Sequence, residues 1–159
     1  MPGRRKAKRR SGCPVSVSLE ILGDRWSLLI IRDLMVRGFR TFTEFQASGE
    51  GIATNILAER LQRLEAVGII TAEAEERDAR RVNYRLTAKG IDLAPLLLEL
   101  LLWGARNEET SAPAALIKQM EQDRKAFIAE VRRRWRNRDS TPILPPFGKS
   151  APGREDQTR

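Results

Sequence analysis

The sequence predicts a mainly α-helical fold with one small β-hairpin, an α+β arrangement. Three observations carry that prediction. Apolar residues recur at helical spacing in successive stretches; Gly, Asp and Thr punctuate those stretches as stops and caps; and one pair of β-like runs follows the fourth helical stretch.

Residues 14–22 form a short helix that Gly23 stops. Asp24 is a good N-cap for a helix over about 25–37, where Trp26, Leu29, Ile30 and Leu34 share a face and Gly38 is the stop. Thr41-Phe42-Thr43-Glu44 has the spacing of a capping box and opens a short helix to about residue 47. Ser48-Gly49-Glu50-Gly51 is a turn. A helix over about 54–67 follows, with Leu57, Leu61 and Leu64 as its buried stripe, Ile56 on the flank and Gly68 as its stop.

Runs 69–74 and 82–86 pair as a hairpin, with residues 75–81 as a polar tip. Thr87 caps a long helix to about residue 107, in which Pro95 imposes a kink or an irregular turn. After Thr110-Ser111-Ala112-Pro113 a last helix runs over about 113–138, with Leu116, Met120, Phe127, Val131 and Trp135 on one face. Pro142, Pro145, Pro146 and Pro152 mark the remainder as a disordered tail. The expected organisation is a basic disordered arm (1–12), a folded domain ending in a dimer helix (13–107), a C-terminal helix (108–138) and a disordered tail (139–159).

Composition narrows the chemistry. The 159 residues include no histidine and one cysteine. That excludes a histidine base or ligand, an intrachain disulfide and a multi-cysteine metal site, so no metal or cofactor is expected. There is no P-loop and no Gly-rich nucleotide loop, and the acidic cluster Glu75, Glu76 and Asp78 lies among arginines at a turn, so an enzyme is not expected. The most apolar run, 93–105, is too short for a bilayer and contains Pro95 and Glu99. The basic start has no apolar stretch after it, which points to the cytoplasm.

The net charge is +8. Residues 1–10 and residues 124–138 each carry +6, so the rest of the chain is at −4. Charge concentrated in this way suits a polyanion such as DNA, or serves solubility.

Helix, helix, short helix, turn, helix and hairpin in that order make a winged helix-turn-helix, whose second motif helix enters the DNA major groove. With Leu57 facing inward, Asn55, Ala58, Glu59, Gln62 and Ala66 lie on the opposite side of the helix. Asn and Gln pair both edges of adenine, Glu accepts from cytosine, and Ala58 suits a thymine methyl. Arg40, Thr43, Thr54, Arg60 and Arg63 suit phosphates by type. Arg77, Arg80 and Arg81 at the hairpin tip are expected at the minor groove or its phosphates.

The run 96–103 is apolar nearly all round, so it needs burial on more than one side. Val15, Leu19, Leu96, Leu97, Leu100, Leu101 and Trp103 are the expected dimerisation residues. A homodimer would read two related half-sites of a pseudo-palindromic duplex. Arg132-Arg133-Arg134-Trp135-Arg136 either clamps flanking DNA or forms a solvated face. An RNA-binding or protein-interaction winged helix, and a small-molecule sensor with an apolar pocket, are the rival readings.

Cys13-Pro14-Val15 and Leu22-Gly23-Asp24-Arg25-Trp26-Ser27-Leu28-Leu29-Ile30 resemble the opening of HxlR-type winged-helix transcription regulators. The resemblance continues through Arg40-Thr41-Phe42-Thr43-Glu44-Phe45, Leu57-Ala58-Glu59-Arg60-Leu61 and Leu64-Glu65-Ala66-Val67-Gly68-Ile69. It closes on Tyr84-Arg85-Leu86-Thr87-Ala88-Lys89-Gly90 and Pro95-Leu96 and covers about residues 13–105. It implies a bacterial or archaeal homodimeric regulator with sequence-specific DNA binding. Some relatives sense quinones, aldehydes or oxidants through a cysteine at the place of Cys13. The family often opens the reading helix with Ser-Pro; here Ala53-Thr54 stands there, and Thr54 is the expected cap.

Overall fold

The computed structural model describes residues 8–145 and 147. Eight helices and one hairpin follow in order among them. They are α1 (Pro14–Leu22), α2 (Arg25–Val36), α3 (Phe42–Gln46), α4 (Thr54–Ala66), β1 (Ile70–Glu75), β2 (Asp78–Leu86), α5 (Ala88–Ile91), α6 (Ala94–Asn107), α7 (Ala114–Gln122) and α8 (Arg124–Arg136). This is a mainly helical winged helix-turn-helix, as the element order predicts.

The start signals act as expected. The Asp24 carboxylate accepts the Trp26 and Ser27 amides, and Thr41 and Glu44 form a reciprocal capping box. α4 differs by one position. Ala53 is its N-cap and makes no side-chain cap, while Thr54 is already helical and its hydroxyl accepts a hydrogen bond from Gln46 Nε2 at 2.8 Å. Thr54 therefore ties α4 to α3 instead of capping it.

The core fills the space between α2, α4, the base of the hairpin and α6. Ile31, Phe45, Leu57, Leu61, Leu64, Ile70, Leu98 and Leu102 are all buried. Each such aliphatic side chain contributes on the order of 2 kcal/mol through burial.

Four expectations need correction. The hairpin tip is only Glu76 and Arg77, and the register shifts between the Ala74–Val82 and Glu75–Asp78 pairs. Arg80 and Arg81 thus sit on an irregular, bulged part of β2. The expected long helix is two helices, because Pro95 belongs to the first turn of a new one, where its missing N–H costs nothing. The expected last helix breaks at Asp123, which leaves helical geometry (φ −140°, ψ 74°) so that its carboxylate can cap α8 through the Ala126 amide.

The fourth correction concerns the tail. Residues 139–145 pack against the domain: the Ile143 and Leu144 amides both donate to Val36 O, and Leu144 joins the core. Burial of Leu144 and Ile143 outweighs the proline-rich composition locally. Gly38 makes room for the segment, since a Cβ there would lie 1.9 Å from Ser140 O and the residue has φ +74°. Residues 1–7 of the expected arm and residues 146 and 148–159 of the expected tail lie outside the described residues.

Candidate nucleic-acid interface

α4 is held from below by its three buried leucines and from the side by α2. Asp24, the α2 cap, also accepts the Ser27 hydroxyl at 2.6 Å and Arg60 Nε at 2.9 Å. Burial acts to raise the Asp24 carboxyl, but Ser27 and the Arg60 guanidinium outweigh it and hold it below the usual range. One carboxylate therefore joins the start of α2 to the middle of α4.

A second ionic cluster holds the turn between α3 and α4. Glu50 receives Arg32 Nη1 at 2.8 Å and Arg25 Nη2 at 2.9 Å, and Arg37 Nη1 reaches both Asp33 (3.2 Å) and Ser48 O (3.4 Å). Burial pushes the Asp33 carboxyl up despite Arg32 and Arg37 beside it. Burial also acts to raise Glu50, but Arg32, Arg25 and Arg37 prevail and keep it low. Neither Asp24 nor Glu50 was singled out by sequence as an organiser of the reading helix. Asp24 carries only a cap signal, and Glu50 carries none beyond its place in a turn.

With α4 fixed, Asn55, Glu59, Gln62 and Ala66 are exposed and Ala58 is half-buried on its outer side. Glu65 is exposed as well. An open groove runs between the start of α3 and the hairpin, lined by Thr41, Thr43, Glu44, Arg80, Arg81 and Tyr84. Arg77 is exposed at the turn, so the three hairpin arginines lie at or next to this groove.

Three expected phosphate contacts are placed otherwise. Arg40 Nη1 donates to Leu34 O (3.1 Å) and Phe39 O (2.9 Å). Arg60 is paired with Asp24 and Glu59, and Arg63 Nη2 donates to Glu20 O on α1. Arg60 and Arg63, on the flanks of α4, reach residues 36 and 43 positions away, while Arg40 in the α2–α3 linker closes back on the end of α2 and on the linker itself.

Of the expected dimerisation residues, Val15 (66% exposed), Leu19 (59%), Leu96 (43%), Leu100 (44%) and Trp103 (57%) are outward-facing. Leu96, Leu100 and Trp103 follow the one-face spacing of a helix. Leu97 and Leu101 instead pack partly on the protein's own core. Cys13 is exposed at the N-cap of α1, and the Ser16 and Val15 amides draw its thiol below the usual range.

The family model of HxlR-like helix-turn-helix proteins matches residues 21–112. The chain belongs to the HxlR-like helix-turn-helix family. It is 32% identical over 100 residues to YybR of Bacillus subtilis, an uncharacterised HTH-type transcriptional regulator, a match covering 63% of this chain and 79% of YybR. Among solved structures it is similar to PA1607 (40% identity, TM-score 0.60, 69% of this chain and 73% of that one). It is also similar to the redox regulator HypR in its oxidised form (32% identity, TM-score 0.55, 61% of this chain and 99% of that one). This HxlR-like chain is thus a helix-turn-helix transcription regulator of the DNA-binding type and not an enzyme. Among its described residues, no helix is long and apolar enough to cross a membrane.

Proposed function

We propose that this HxlR-like chain binds a pseudo-palindromic double-stranded operator as a homodimer. α4 enters the major groove, with Asn55, Ala58, Glu59 and Gln62 at base edges. Thr43, Arg77, Arg80 and Arg81 meet the backbone or the minor groove. The observation that carries this reading is the two-sidedness of α4, with three leucines buried on one side and a polar, exposed face on the other; Arg80 and Arg81 line a separate open groove at the hairpin. Exposed Val15, Leu19, Leu96, Leu100 and Trp103 support pairing of two copies, since large apolar side chains rarely stand free in rows. The site of action is the cytoplasm, on the nucleoid.

Fluorescence anisotropy with intergenic duplex from beside its own gene, against a shuffled duplex at two salt concentrations, tests the reading. Preference for the native duplex that survives higher salt is the expected result. Equal affinities that both collapse with salt would refute sequence-specific binding there and favour an RNA or protein partner. Sedimentation of the wild type against Leu100→Glu tests the dimer, with a shift to monomer expected.

Response to oxidants through Cys13 is a second element of the proposal. Its support is an accessible thiol of lowered pKa and the likeness to a redox regulator. With no second cysteine in the chain, a reversible response runs through a disulfide between two subunits or an adduct. Operator affinity that oxidant leaves unchanged, or changes equally in Cys13→Ser, would remove this element.

A further inference from the structure

The family match ends at residue 112, yet the chain continues through α7, α8 and the segment 139–145. This extension is fastened to the hairpin at both strands. Trp135 Nε1 donates to Leu86 O at 2.8 Å, and Arg85 Nη2 donates to Trp135 O at 2.5 Å. The Arg85 guanidinium lies 5.0 Å from the Trp135 ring centroid, a cation–π distance. Arg138 Nη1 pairs with Glu73 on β1 at 3.1 Å.

The other end of the extension is anchored on α2. Leu144 is buried, Val36 O accepts the Ile143 and Leu144 amides, and Ser140 passes over Gly38. Arg134 Nη1 donates to Thr141 O (2.8 Å) and Pro142 O (3.1 Å), which fixes the bend between the two attachments. A two-stranded hairpin is marginal by itself, so its angle is set by what it leans on.

We propose that α8 and residues 139–145 are a clasp that fixes the wing relative to α2. By doing so the clasp sets how strongly Arg77, Arg80 and Arg81 contribute to DNA binding. Trp135, Arg138 and Leu144 are positioning residues in this scheme. The second statement rests on the DNA-binding reading above; the first does not.

The test uses the full chain carrying Trp135→Phe and Arg138→Gln, which keep most of the packing and remove the attachments to Leu86 and Glu73. Hydrogen exchange is measured without DNA. Amides of residues 70–86 are expected to exchange about tenfold faster, with α4 unchanged. Duplex affinity is then measured in a double-mutant cycle with Arg80→Ala plus Arg81→Ala. The clasp variant is expected to bind about fivefold more weakly and to change affinity less than about twofold when the wing arginines are absent.

An unchanged wing, or equal acceleration in wing and α4, would overturn the clasp. Additive effects in the cycle would overturn its role in DNA binding. If the wild type binds no duplex, the DNA-binding reading falls together with that role, while the exchange result still decides whether the extension holds the wing.

Discussion

Asp24, the half-buried N-cap of α2, accepts from the Trp26 and Ser27 amides, the Ser27 hydroxyl and Arg60. Asp24→Ala removes the N-cap, which costs about 1 kcal/mol. It also removes the acceptor of the Ser27 hydroxyl, and Ser27 is fully buried, so an unsatisfied donor adds about 1–3 kcal/mol. Arg60 loses its partner in a pair whose side chains are each 21% exposed, worth up to about 1 kcal/mol after solvent screening. These losses share one carboxylate and do not simply add, so about 3 kcal/mol is expected. At about 2–4 °C per kcal/mol for a chain of this size, the melting temperature falls by about 6–12 °C. Asp24→Asn keeps the cap through its one amide oxygen but puts an NH2 where Oδ2 accepts the Ser27 hydroxyl, and it loses the charge facing Arg60, so an intermediate loss of about 2 kcal/mol is expected. Urea denaturation followed by tryptophan fluorescence measures both. An alanine variant within about 0.5 kcal/mol of wild type, or an asparagine variant as unstable as the alanine one, would refute the reasoning. The pH dependence has a definite sign. The folded carboxyl sits below its unfolded value of about 3.9, so its contribution is present above that value and is lost as pH falls through the lower folded one.

Three further outcomes follow from the same geometry. Asn55→Ala is expected to relax base preference at one operator position by about 1–3 kcal/mol, read by competition between single-base operator variants; equal weakening on specific and random duplex would mean the reading face is misplaced. Leu57→Ala, at a fully buried position under that face, is expected to cost about 2–5 kcal/mol in denaturant titration. Arg133 and Arg134 both donate to Glu130 and hold its carboxyl at about 2, so an NMR titration should find it there in wild type and higher in Arg133→Ala.

What the sequence made legible was governed by local chemistry. α1 to α4 begin and end within about a residue of expectation because Asp24, Thr41, Gly23 and Gly68 act on their own neighbours. The break at Asp123 was hidden because an aspartate in a helical run looks like any solvated residue until its carboxylate turns to cap the next helix. The ordered segment 139–145 was hidden because its fate depends on Val36 and Gly38, about a hundred residues earlier. The outer face of α4 was legible from its leucine stripe, and its exposure agrees. Arg40, Arg60 and Arg63 were not, because residue type cannot distinguish an arginine aimed at solvent from one bound to Leu34, Asp24 or Glu20.

The hairpin also has two edges, and they are treated differently. On the β2 side the Tyr84 amide donates to Arg40 O at 2.7 Å, so the linker between α2 and α3 occupies that edge like a fragment of a third strand. The β1 edge has Glu73 and Glu75 along it, with Arg138 laid against Glu73. An uncovered strand edge is a template for unwanted pairing with another chain, and charged side chains on it disfavour such pairing; here Glu73 pairs with Arg138 and Glu75 with Arg81. Of the two edges, β2 is thus occupied by the α2–α3 linker, and β1 carries side chains held in ion pairs.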